Sequence, residues 1–155
     1  MKAAALVFLV ITCLPGCATP GREDRPAVTD SILGLKVGDT LAAARERLDP
    51  LGTTAGRATR EGGRKQGWQL EETPFRWIAL KTNDEDRVKW ISGALRPGRE
   101  IPFAELGDLS LASRATAAEV IWNVPASSHD YRLVGKGRDG HAAIVYLLSL
   151  DVPPQ

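Results

Sequence analysis

The 155-residue sequence predicts an α+β domain of two layers, an antiparallel sheet with two short helices on one face. Three observations predict it. Two β-rich runs, "FRWIALKT" (75–82) and "RVKWISGAL" (87–95), flank the polar turn "NDED". A second pair, "DYRLVG" (130–135) and "HAAIVYLLSL" (141–150), flanks the Gly-rich "KGRDG". Ahead of each pair a Thr, Thr40 or Thr116, opens a segment with helical spacing of its apolar residues.

Taken in order, Ile32, Leu33, Leu35 and Val37 form an apolar lead-in. Thr40 or Asp39 then caps a helix in "LAAARERLDPLG", with Leu41, Ala44 and Leu48 on one side and Pro50 and Gly52 as its stop. Residues 52–67 hold five Gly and almost nothing apolar, which predicts a mobile, solvated loop. Arg57, Arg60, Arg64 and Lys65 in it could hold an anion, but no phosphate-cradling Gly motif followed by a helix is present. Trp68 begins a short strand through Gln69 and Leu70. Closing the next hairpin at Thr82 with Arg87, or at Asn83 with Asp86, sets Phe75 opposite Ala94, Trp77 opposite Ser92, Ala79 opposite Trp90 and Lys81 opposite Val88. Trp77 and Trp90 then share one face, which is expected to be the core. The other face, with Arg76, Ile78, Leu80, Lys89 and Ile91, is mixed. "RPGREIPF" is a crossover. In "ATAAEVIWNVP", Thr116 and Glu119 form a capping box, Val120, Ile121 and Val124 a stripe, and Pro125 a stop, which predicts the second helix. Leu35 to Thr40 and Leu111 to Thr116 share their spacing, which suggests a diverged tandem helix-plus-hairpin repeat within one domain, 31–150.

The first residues have a different character. Lys2 precedes an apolar run, Ala3 to Leu14, shorter than the roughly 20 residues that span a bilayer and of ordinary length for a secretory signal. The alternative is an apolar first helix of the domain. Leu14-Pro15-Gly16-Cys17, placed directly after that run, resembles the lipobox of bacterial lipoproteins. The resemblance implies that residues 1–16 are a signal peptide cut between Gly16 and Cys17. It also implies a diacylglycerol on the Cys17 thiol and a fatty acid such as palmitate on the new amine. Residues 17–30, polar and with two Pro, would be the lipidated Cys and a tether reaching roughly 20 Å. Several acyl chains anchor a protein stably where one does not. Cleavage removes Cys13 and lipidation consumes Cys17, so the mature chain would have no thiol for nucleophilic catalysis, metal binding or a disulfide. Ala18 follows the Cys. By resemblance to lipoproteins of Gram-negative type, this implies the periplasmic side of the outer membrane rather than the inner membrane, where Asp commonly retains such proteins. Losing Lys2 brings the formal net charge from +1 to zero, which supplies no argument for nucleic acid.

A second resemblance concerns the domain. The apolar lead-in, Gly38-Asp39-Thr40, a short helix and a following antiparallel hairpin look like the SmpA/OmlA (BamE-like) lipoproteins, and a tandem version looks like the β-lactamase inhibitory protein fold. The likeness covers 31–95, with an echo in 109–150. It implies protein-binding modules without catalysis. The chain departs from the pattern where the usual apolar residue four positions after the Thr is Ala44, and where the usual G-x-P helix ending appears as Asp49-Pro50-Leu51-Gly52.

Catalytic alternatives are thin. Ser127, His129 and Asp130 are sequence neighbours, whereas triads are assembled from distant segments. His129 and His141 lack metal-ligand spacing with Asp130 or Asp139. Glu71 and Glu72 are adjacent and point apart on a strand. "NDED" lacks the ligand spread of a calcium loop. No enzyme, cofactor, metal or nucleic-acid partner is therefore expected. The expectation is a lipid-anchored periplasmic protein that binds a protein partner in outer-membrane or envelope maintenance. The alternative is an inhibitor or immunity lipoprotein that neutralises a secreted or cell-wall hydrolase. Candidate contacts are Asp84, Glu85 and Asp86 at the hairpin tip and an exposed Trp68 or Trp122.

Overall fold

A computed structural model of the protein describes residues 27–58 and 63–150. The signal, the lipobox, Arg60 and most of the tether lie outside the described residues. Nine antiparallel strands build one sheet. They are β1 (Gly52–Ala58), β2 (Arg64–Leu70), β3 (Phe75–Thr82), β4 (Val88–Leu95), β5 (Ile101–Pro102), β6 (Arg114–Ala115), β7 (Glu119–Val124), β8 (Tyr131–Arg138) and β9 (His141–Ser149). Their order is β1-β2-β3-β4-β9-β8-β7-β6, with β5 paired to β9 off that path.

One eight-residue helix, α1 (Leu41–Leu48), packs on this sheet, and a single helical turn, α2 (Phe103–Leu106), follows β5. The start of α1 is as expected. Thr40 Oγ1 accepts from the Ala43 amide at 3.1 Å, and Leu41, Ala44 and Leu48 are buried. Pro50 carries the chain into a 3-10 turn, Asp49–Leu51. The folded chain already includes Val28, which is buried and bridges to Gly107.

Four expectations need correction. The second helix is strand β7. Val120 and Trp122 are buried while Asn123 between strand neighbours is exposed, so period two wins over the apolar stripe. The Thr116 capping bond exists, with Oγ1 accepting from the Glu119 amide at 3.0 Å, but it closes the β6–β7 turn. No second helix therefore lies beside α1 at these residues, and the helix-plus-hairpin order of the first half is not repeated there. The expected mobile loop, 52–67, is mostly the β1–β2 edge hairpin, in register from Gly52 opposite Leu70 to Ala58 opposite Arg64. From Trp77 to Lys81 the hairpin register differs by two residues from expectation, and at Phe75, which faces Leu95, by one. Trp77 faces Ala94, Ala79 faces Ser92 and Lys81 faces Trp90, because irregularities lie between Phe75 and Trp77 and between Lys81 and Thr82. Finally, the core is the opposite face: Ile78, Leu80 and Ile91 are fully buried, whereas Trp77 is 38 % exposed.

The two register shifts add to that core. Phe75 and Val88 are brought onto the side of Ile78, Leu80 and Ile91, and that side meets α1 and the lead-in. Trp68, Trp122, Leu133, Val145 and Leu147 complete a core that runs the width of the sheet. The β8–β9 turn is shorter than expected, Asp139-Gly140 alone, and both residues have positive φ (52° and 75°) as a type I′ hairpin requires.

Tyr131 lies in this core with its hydroxyl 3.5 Å from the Val28 carbonyl oxygen. Burial, and then the negative charge of Asp30, push its phenol above its ordinary value. Below about pH 10 the phenol is neutral in both states. Above it the unfolded chain ionises first, so stability falls as pH rises through the folded value. Tyr131→Phe is expected to cost about 0.5–1 kcal/mol at neutral pH and to flatten the alkaline fall. Urea unfolding compared at about pH 7 and from about pH 9 to 11 reads both. Equal alkaline slopes in the two proteins would refute the assignment.

Candidate functional site

The face of the sheet turned away from α1 carries no second layer among the described residues. Cross-strand register sorts its side chains into rows. One row runs Lys65, Lys81, Trp90, Leu148, Arg132, Asn123. The next runs Ala55, Gly67, Ala79, Ser92, Tyr146, Val134, Ile121, and a third runs Gln69, Trp77, Ala94, Ile144, Lys136, Glu119.

The small residues of the middle row make a floor, and the Trp on each bordering row makes a wall. The result is an open groove of about 440 Å³ lined by Ala55, Lys65, Gln66, Gly67, Trp77, Ala79, Trp90 and Ser92. Its volume falls within the range of ligand-binding clefts. Gly67 is what lets Trp77 lie down over β2: a Cβ there would stand 2.2 Å from Trp77 Cζ2. Trp90 is held on two sides. Lys65 Nζ lies 5.7 Å from its ring centroid, and the Tyr146 ring lies 6.3 Å away, tilted by 32°. The groove thus offers two indole surfaces, a floor without bulk, the Ser92 hydroxyl and a cation at the rim.

The expected contact residues lie elsewhere. Trp68 is fully buried and its Nε1 donates to Asp49 Oδ1 at 2.7 Å, and Trp122 is 1 % exposed with Nε1 donating to the Asp108 carbonyl oxygen at 2.8 Å. Both are therefore core residues, and the expectation of an exposed Trp68 or Trp122 is corrected. Asp84 and Glu85 are exposed at the β3–β4 tip. Asp86 is partly buried, has φ 55°, and its carbonyl oxygen accepts from the Leu41 amide at 2.8 Å. Asn83 Oδ1 accepts from the amides of Glu85 (3.2 Å) and Arg87 (2.8 Å), which fixes the turn. Cys17 and Gly16 lie outside the described residues.

His129 and His141 flank the two ends of β8, about 26 Å apart by strand rise. His129 packs on Gly38, whose φ of +90° suits glycine and where a Cβ would come within 2.3 Å of the ring. Asp130 Oδ1 accepts from the Ala126 amide at 3.1 Å. Among the described residues no cluster of three or more His, Cys, Asp or Glu could hold a metal ion, and no helix is long and apolar enough to cross a membrane.

The signal for the groove was present in the sequence as the alternation that puts Trp77, Ala79, Trp90 and Ser92 on one face. Aromatic residues are usually inside, so alternation alone points to a core on that face. No family model, curated protein or solved structure matches the chain.

Proposed function

We propose that the chain is a non-catalytic, lipid-anchored protein of the bacterial envelope that binds a protein partner through the open face of its sheet. The observation that carries this reading is the groove between Trp77 and Trp90: aromatic surface left exposed at the centre of a sheet whose other face already has a core. Exposed, rigidly seated Trp is the kind of anchor on which protein interfaces concentrate their energy. The lipobox resemblance supplies the address, with Cys17 as the lipidated first residue and Ala18 favouring the periplasmic side of the outer membrane.

Two experiments test the two halves. A photo-crosslinking residue at Gln69, beside Trp77 on the open face, is expected to capture an envelope protein in living cells, and capture from Glu72 instead of Gln69 would sink the site. The Cys17→Ala chain is expected to lose palmitate labelling and to leave the membrane fraction. Retention of both would end the anchor reading.

The inhibitor reading is kept by one feature. Asp84 and Glu85 stand exposed on a turn fixed by Asn83 and by the start of α1, a rigid acidic tip suited to a cationic cleft. Neutralising Asp84 and Glu85 together would abolish any hydrolase inhibition if that reading is right.

A further inference from the structure

The formal charge of the whole chain is close to balanced, yet its charges are segregated by face. Among the described strand residues, register puts Lys65, Lys81, Arg114, Arg132 and Lys136 on the open face with one carboxylate, Glu119. That carboxylate sits at one margin and is shared by Lys136 (3.1 Å) and Arg114 (3.6 Å). Lys65 and Arg132 stand with Trp90 and Leu148 in a row where register places no acid among the described strand residues, and Arg132 Nε donates to Asn123 Oδ1 of the same row at 2.8 Å.

Resting on the proposal that this face binds a protein, we infer that its partner presents an acidic segment, one apolar or aromatic side chain of which enters the Trp77–Trp90 groove while carboxylates meet Lys65 and Arg132. The geometry favours an extended segment. Adjacent strands lie about 4.8 Å apart, so Lys65 and Arg132, four strands apart, are separated by about 19 Å across the sheet. An extended chain rises about 3.3 Å per residue and points alternate side chains the same way, so carboxylates about six residues apart match that span. Charge complementarity of this kind speeds encounter and rejects cationic competitors, and it weakens as salt screens it.

The full-length lipidated protein in detergent, titrated with a random glutamate–tyrosine copolymer, provides the test through its tryptophan fluorescence. The copolymer is expected to bind at least tenfold more tightly than a lysine–tyrosine copolymer, and to weaken with added salt. The double variant Lys65→Glu, Arg132→Glu should lose at least tenfold, and Trp77→Ala should lose binding with its melting temperature unchanged. Equal binding of the two copolymers would overturn the inference. So would charge-dependent binding of oligo(dT), or of phosphatidylglycerol vesicles, without binding of the glutamate copolymer; the first would point to nucleic acid and the second to a membrane surface. If crosslinking from Gln69 captures a protein while the glutamate copolymer fails, only the acidic character of the partner is lost. If crosslinking also fails, the binding face itself is lost.

Discussion

Replacing Trp77 with alanine is expected to reduce partner capture by about 30-fold or more while leaving the fold intact. The magnitude follows from interface anchors of this type, whose truncation costs about 2 kcal/mol or more, and about 1.4 kcal/mol is a factor of ten. The fold should survive because the indole packs outward over Gly67 and Ala79, away from the core. Gly67→Val approaches the same end from below. Its side chain would occupy the place of the Trp77 ring, displacing the ring and spoiling the groove without deleting an aromatic residue. The pair is informative together: loss in both, with circular dichroism and melting temperature retained in Trp77→Ala, locates binding in the groove. Unchanged capture by Trp77→Ala would remove the groove from consideration.

The largest effect on stability is expected at the other kind of tryptophan. Trp68→Ala should cost about 3–5 kcal/mol, the usual range for emptying an aromatic site in a core. Trp68 is fully buried, so little of the space can refill from solvent, and its Nε1 bond ties β2 to Asp49 at the end of α1. A domain of this size has about 5–15 kcal/mol in hand, so the variant would be marginal or unfolded. Urea denaturation by tryptophan fluorescence and circular dichroism measures it. A loss below about 1 kcal/mol would mean that the core closes over the gap.

These two residues also mark how far the sequence could be read. Strong local signals were legible: the Thr40 cap, the Leu41, Ala44, Leu48 side of α1, and the existence of both antiparallel pairs, though not the register of the first or the turn length of the second. What failed was decided by longer-range packing. Val120 to Val124 is short enough to fit two periodicities, and only the pairing of β7 with β8 chose between them. Gly52 and Gly67 suggested mobility, whereas they serve close approach: of β1 to the Gln69 carbonyl, and of the Trp77 ring to β2. The side on which Trp77 and Trp90 fall was legible from alternation. Which side would be covered was not, because that depends on α1 and the lead-in settling against Ile78, Leu80 and Ile91, and on two register irregularities that no residue type announces. The groove was thus half visible: Trp77, Ala79, Trp90 and Ser92 fall together by alternation, whereas Ala55, Lys65, Gln66 and Gly67 lie in the stretch whose glycines point to a loop, and nothing among the described residues lies over them.

The segment from Ala27 to Gly38, which contains the lead-in, has a mechanical consequence. At its start the Thr29 amide bonds the Leu106 carbonyl oxygen (2.8 Å) and the Asp108 amide bonds the Ala27 carbonyl oxygen (2.7 Å); at its far end the Gly38 amide bonds the Val88 carbonyl oxygen (2.7 Å). Leu106 lies against Gly135 on β8, and Val88 begins β4, so the segment straps the core side across the β4–β9 seam that joins the two groups of hairpins. A pull arriving through residues before Ala27 is taken first by this strap. The strand ladders and the open face stand outside the load path, so tension on the chain's leading end would loosen the strap before it deformed the groove.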